Sequence, residues 1–413
     1  MTTEPMGTGT RQRPLLVRNK NFALVWIGQV LSQGGTRIYQ IALLWWLLGQ
    51  LPENVRGLAS GAFLVMGALP PLVLMRHIGK LIDRLPSRKV MLRAELTACA
   101  VVSVLAVFAW QDAVPVWSVY VVALILAVCQ AFFDPCLLKA MPELVEGKDV
   151  ERAVGFGTST QSVANFAGAA FGAVLLATVG FTGAVVINAA SYAVAAVCLY
   201  FARFTPLPAS PPPPPGDEAP QEHKSTWKFL GSMPSVRPLL VCFAAANFFS
   251  APTLLVLPLY TKLVLEREAG TLAILEAALW FGLLLGAFSA ANIPTAGRTV
   301  RFGALCIAAF GVFLAIPGLV ASTVIYAVVL ALAGLCLGVS NVKFTALFQV
   351  AVPNEVKGRF FAALQAAISS TFPVAFLAFG AFGDAIGPQL LTLAQGAGLL
   401  VFALVLARIP EPE

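Results

Sequence analysis

The feature that most constrains this chain is a succession of apolar runs, each about twenty residues or longer, separated by short charged or Pro/Gly-rich breaks. A helix rises 1.5 Å per residue, so ~20 apolar residues cross the ~30 Å hydrocarbon core of a bilayer. Twelve such runs can be read, at 22–48, 57–79, 89–110, 115–138, 152–178 and 181–202, then at 237–263, 270–292, 299–319, 322–349, 358–384 and 387–408. Backbone polar groups have no water to bond inside a membrane, so each run must pair its own as a helix. Of the 413 residues, 58% are hydrophobic and 11% charged, against about 25% charged in a soluble domain. The composition excludes a water-soluble fold and points to an all-α polytopic membrane protein of twelve helices.

The runs fall into two sets of six around the one long hydrophilic stretch, which contains five consecutive prolines, Pro211 to Pro215. Proline runs favour extended polyproline II and cannot continue a helix, so this segment reads as a spacer. The organisation expected is a six-helix bundle over 1–202, a proline-rich linker over 203–235 and a second bundle over 236–413. The cations near Arg11, Arg18 and Lys20 precede a run too long for a secretory peptide's 7–15-residue core, so the first run reads as an uncleaved span. Counting Lys and Arg in alternate loops puts nearly all of them on one side, with Arg56, Lys262 and Arg267 on the other. By the positive-inside rule both termini and the linker are cytoplasmic, in a multi-pass protein of the cell (inner) membrane. Topology then accounts for the net charge of +7 without nucleic acid. Seven scattered cysteines and two histidines form no metal or redox spacing, so no cofactor or metal is expected.

After the second run the chain reads GKLIDRLPSRK, from Gly79 through Asp83 and Arg84 to Arg88 and Lys89. This resembles the signature loop between helices 2 and 3 of the major facilitator superfamily. The first run (VWIGQVLSQGGTRIYQIALLWWLL) is similar to the first helix of the macrolide-efflux-type subfamily. PELVEGKDVERA from Pro142 and PNEVKGRFFA from Pro353 resemble that subfamily's cytoplasmic loops and occupy equivalent places in the two halves. Two features depart from the pattern. GAAFG, Gly168 to Gly172, has Ala169 where antiporters often carry proline, and AANIPTAGRTVR lacks the signature aspartate.

The resemblance implies two six-helix halves with a substrate site between them near the bilayer midplane, lined by helices 1, 4, 7 and 10. Each of these runs carries one conspicuous polar side chain: Arg37, Asp134, Asn247 and Lys343. A charge at membrane centre costs about 2.5–3.5 kcal/mol on insertion scales, so it faces a cavity or a partner. Arg37 is read as contacting substrate or acting in gating, or as fixed to an acid or a helix end. Asp134 either carries a proton or pairs with Lys343 or Arg152, and Lys343 can snorkel towards water. Glu276, with no cation near it in sequence, is a second proton-carrier candidate, whereas Glu95 reads as part of an inner-surface salt network with Arg88, Lys89 and Arg93. Conformational gating is expected at Gly79, Asp83, Arg84, Arg88, Lys89 and Arg152, with Gly358 and Arg359 opposite them. Asp83 would meet the N-terminus of helix 11 when the halves close on the cytoplasmic side.

The function expected is secondary active export of a small amphipathic molecule, drug-like or a secondary metabolite, by alternating access with proton antiport, from a monomer. The alternatives are a lysophospholipid or lipid flippase and, from another class, a non-transporting membrane sensor or scaffold. No phosphate-binding Gly-x-x-x-x-Gly-Lys-Ser/Thr loop, His-Glu zinc pair or Gly-x-Ser-x-Gly elbow occurs in the chain, so enzyme chemistry is not expected.

Overall fold

The computed structural model describes residues 15–145, 149–205, 237–295, 297–352 and 357–411. Side chains of some residues within 75–83, 150–177 and 358–362 lie outside that description. Nearly all of the linker, from 206 onward, lies outside it too.

All regular structure among the described residues is helical. After a single turn at Leu15–Arg18, helix α1 spans Lys20–Gln50, α2 Arg56–Arg84, α3 Ser87–Trp110 and α4 Val116–Leu144. Val150–Phe201 is two helices, α5 and α6, on either side of Gly180. Arg237–Ser250 and Thr253–Leu263 together form α7. They are followed by α8 (Ala269–Ser289), α9 (Thr299–Leu319) and α10 (Thr323–Ala351). Lys357–Ala407 is again two helices, α11 and α12, joined at Gly387. Gly180 and Gly387 have φ of 65° and 82°, a region that costs a glycine little and an L side chain more. Each therefore lets two spans turn back on themselves with no loop between them.

Ten of these helices are long and apolar enough to cross a membrane. Of the rest, α1 has 31 residues, ample length, but carries Gln29, Ser32, Gln33, Thr36, Arg37 and Gln40. Those residues recur every three or four positions and so make one polar face. Large apolar side chains such as Leu305, Val324 and Phe288 are 66%, 72% and 78% exposed, an outside that suits lipid and not water.

The expected span at 237–263 is interrupted rather than continuous. Pro252 has no N–H and cannot continue the α ladder, so α7 breaks after Ser250. The carbonyl of Phe249, next to the break, accepts from Gln395 Nε2 at 2.9 Å, and the same amide reaches Thr253 Oγ1 at 3.1 Å. Gln395 is itself buried on α12. A side chain thus satisfies a carbonyl whose helical partner, the N–H of Thr253, is carried away by the break.

Within the first six helices α1 packs against the α5–α6 pair, and α3 packs against both α4 and that pair. Within the second six, α8 packs on α10 and α9 on both α10 and the α11–α12 pair. The α8–α10 contact is made backbone to backbone. A Cβ on Gly282 or Gly286 would strike the Ala331 or Leu335 carbonyl, and one on Gly334 or Gly338 the Leu279 or Leu283 carbonyl. Small residues that let helices approach this closely replace the missing hydrophobic drive in lipid. The two sets meet where α2 packs on the α11–α12 pair and α8 on the α5–α6 pair.

Candidate functional site

Helices run alternately, so the starts of α1 and α3 share one end of the bundle with the end of α2. We call this the basic end, after Arg84, Arg88, Lys139 and Lys343, and the opposite end distal. At the basic end many bonds tie the first six helices together. Lys139 Nζ donates to the Ile82 carbonyl at 2.7 Å and the Leu85 carbonyl at 3.2 Å, and Ser87 Oγ donates to Glu143 at 2.8 Å. Arg18 pairs with Asp149.

A cavity of about 290 Å³ opens among α1, α2, α3, α4, α5 and α6. The polar face of α1 forms one wall and Gln130 and Asp134 of α4 stand on another. Phe63, Phe133, Leu126 and Ala127 supply apolar surface. Thr36 Oγ1 bonds the Ser32 carbonyl and the Tyr192 hydroxyl, each at 2.8 Å, which orients this face of α1 against α6.

Arg37 does not stand free in this space. Its guanidinium donates to Glu276 Oε2 of α8 at 2.8 Å and lies 5.6 Å from the centre of the Trp280 ring. The pair is buried, with side chains 13% and 5% exposed, and joins the two halves. Gly168 seats it: a Cβ there would lie 2.7 Å from the Arg37 Cβ. Of the roles open to Arg37, a fixed pair to an acid is the one present. Glu276, which sequence proximity leaves without a cation, has one from another helix.

Asp134 is exposed within the cavity and accepts from Gln130, one turn away on the same helix. It bonds neither Lys343 nor another cation among the described residues. Asn247 and Lys343 are not brought to the cavity. Asn247 Nδ2 donates to the Phe243 carbonyl of its own helix at 2.9 Å, and Lys343 Nζ donates to the Ile293 carbonyl at 2.7 Å. Ile293 follows the last turn of α8, where carbonyls lack helical partners, so the lysine is drawn there and away from Asp134.

Glu95 is corrected more sharply. It is 4% exposed, lines the cavity, and has the Ser32 hydroxyl 3.4 Å from each carboxylate oxygen. No salt network with Arg88, Lys89 or Arg93 forms. Seven residues of helix put about 10 Å of rise between Arg88 and Glu95, and Arg88 instead donates to the carbonyls of Leu199 and Tyr200 at the end of α6. The polar periodicity of α1 is the signal that could have marked this wall from sequence.

Of the expected gating residues, Arg84 and Lys89 are exposed at the basic end. The side chains of Asp83, Arg152 and Arg359, and the surroundings of Gly79 and Gly358, lie outside the described residues. The distal end is where the halves join. Gly57 N and Leu58 N, in the first turn of α2, donate to the Asp384 carboxylate of α11 at 2.6 and 2.8 Å. A Cβ on Gly57 or Gly61 would strike the Gly380 or Phe376 carbonyl. Lys262 of α7 lies 5.2 Å from the Trp45 ring centre of α1. Leu48, Val65, Leu255, Leu259 and Phe379 close one apolar cluster across the halves. The hydrogen bonds, ion pair and ring contacts named above that cross between the halves lie from mid-membrane to this end.

Twelve helices in two sets, with a polar cavity inside the first set and a seam between the sets at the distal end, have the form of a polytopic membrane transporter. The chain belongs to the Major Facilitator Superfamily, whose family model matches residues 25–372. It is similar to Macrolide efflux protein A of Streptococcus pyogenes, 25% identical over 400 residues that cover 94% of this chain and 96% of that protein. A protein of the same name from Enterococcus faecalis is 25% identical over 319 residues, covering 75% of this chain and 96% of its own length. In fold it resembles the crystal structure of a bacterial homologue of the iron transporter ferroportin in the inward-facing state. The TM-score is 0.69 at 14% identity, over 96% of this chain and 100% of that one.

Proposed function

We propose that the protein exports a small amphipathic molecule across the cell (inner) membrane by alternating access, in exchange for protons. The observation that carries this reading is the mixed polar and apolar cavity beside a distal seam that joins the halves. The cation asymmetry supports a cytoplasmic basic end, which makes the present arrangement the one that loads from inside. Export is favoured over the flippase alternative by the similarity to proteins named for macrolide efflux.

Asp134 is the proposed proton carrier. It stands in the cavity with Gln130 as its hydrogen-bond partner, so it can exchange a proton without breaking an ion pair, whereas Glu276 cannot. The loop from Gly79 to Lys89 is proposed to latch the basic end in the opposite state, with Asp83 at the start of α11, as Asp384 latches the start of α2 in this one. A proton falling through about 200 mV yields ~4.6 kcal/mol, enough for roughly a thousandfold gradient of substrate.

The test is flux in proteoliposomes with an imposed pH gradient, using a macrolide as the first probe. Asp134→Asn is expected to abolish gradient-driven accumulation while leaving counterflow exchange largely intact. Full gradient-driven flux in that variant overturns the proton role. The absence of flux and counterflow of every probe in wild type would favour the sensor or scaffold reading.

A further inference from the structure

Glu95 presents a problem of charge that the fold does not solve by itself. A carboxylate withdrawn from water needs either a cation or a proton, and no described side chain supplies a cation. Among the described residues, the charged and titratable groups near it are Arg37, Asp134, Cys129, Tyr39 and Tyr192. Arg37 is already engaged by Glu276. Asp134 adds a second acid to the same cavity, so the described residues of the wall carry more acidic than basic groups. Its neighbours are otherwise neutral amides and hydroxyls, from Gln29, Ser32, Gln33 and Gln130.

An acidic wall alone does not make a site, but a second observation points to a ligand here. Tyr39 is 2% exposed, lines the same cavity, and its hydroxyl has no hydrogen-bond partner among the described residues. Buried hydroxyls are normally satisfied, so this one, like the Gln33 Oε1 on the same wall, is a polar group left open beside the cavity. Aromatic rings of Phe63, Phe133 and Tyr192 line the space beside it, and aromatic faces attract organic cations. The volume, about 290 Å³, lies near the lower end of the ~300–1,000 Å³ range of small-molecule sites.

We propose that the cavity is an organic-cation site in which Glu95 is the anionic anchor, so that the transported molecule is an amine or other organic cation with an apolar body. This rests on the transport reading only in taking the cavity as the place where substrate sits. Occupation by the cation replaces the proton on Glu95, so binding releases a proton and weakens as the pH falls. The apolar part lies along Leu126, Ala127 and Phe133, and the Tyr39 hydroxyl meets the polar part.

The test uses the purified full-length protein in detergent and a pair of probes of nearly equal shape and opposite charge, tetraphenylphosphonium and tetraphenylborate. Saturable binding of the cation is expected, at least about tenfold tighter than the anion and weakening progressively from alkaline to acid pH. Glu95→Gln is expected to lose both the affinity and its pH dependence, while Glu53→Gln, in the exposed distal turn, keeps both. Equal or tighter binding of the borate by wild type overturns the inference even if Glu95→Gln fails to fold. Unchanged cation binding in a folded Glu95→Gln overturns it as well. Binding in detergent needs neither gradient nor direction. A protein that binds the cation but accumulates nothing therefore contradicts export alone, and one that pumps substrate yet prefers the anion contradicts this inference alone.

Discussion

Replacing Asp384 by asparagine removes the charge, and one of the two carboxylate acceptors, from the N-terminus of α2 while leaving shape and volume nearly constant. In the present state that carboxylate accepts from Gly57 N at 2.6 Å and Leu58 N at 2.8 Å across the seam between the halves. An anion at a helix N-terminus gains ~0.3–1 kcal/mol when exposed and up to ~2 when partly buried. Asp384 is half-buried, and an asparagine oxygen keeps one of the two bonds, so about 1–2 kcal/mol should be lost. A loss of that size moves an equilibrium by a factor of roughly 5–30. It falls on the state closed at the distal end, because the contact requires α2 and α11 to be together there. Spin labels at Gln111 and Ala321, exposed at the distal ends of the two halves, report the separation by pulsed dipolar spectroscopy. Asp384→Asn should shift population towards the longer distance, with unchanged expression and thermal stability reduced by no more than the same ~2 kcal/mol. A distance distribution identical to wild type would refute the reasoning, since the carboxylate would then contribute nothing to the seam.

Two further outcomes follow from the packing. Glu276→Gln strands a buried guanidinium and should cost about 3–5 kcal/mol, lowering the melting temperature followed by tryptophan fluorescence; the double variant Arg37→Met, Glu276→Gln should recover most of it, and additive losses would mean that the pair is not coupled. Gly282→Val and Gly334→Val force side chains into the facing backbone of α10 or α8 and should abolish the monodisperse folded peak in size-exclusion chromatography, whereas Gly67→Ala, with open space around it, should elute as wild type.

The spans were legible in the chain because their cause is local. Most of the stretches from 22–48 to 387–408 are apolar enough to enter lipid and all must satisfy their own backbone, and both conditions are written in consecutive residues. The observed helices overlay those stretches, down to Thr299–Leu319. Even the turns at Gly180 and Gly387 fall where one apolar run was divided into two. The break in α7 is also local, at Pro252, although the run 237–263 reads as one apolar stretch. The polar face of α1 was present as well, in the three- and four-residue spacing from Gln29 to Gln40.

Partners were a different matter. Arg37 and Glu276 are 239 residues apart, and Asp384 and Gly57 are separated by 327. Nothing in either local neighbourhood selects the other, because the choice depends on which helices the two halves press together. Glu95 shows the reverse error: three cations lie close in sequence, but helical rise separates Arg88 and Lys89 from it and the two-residue spacing turns Arg93 to another face, while α1 and α4 close around the carboxylate. Composition and periodicity determine that this chain spans a membrane many times and where. Only the packing of helix against helix, within each half and between them, decides which of its few buried charges are paired and which stand without a cation among the described residues.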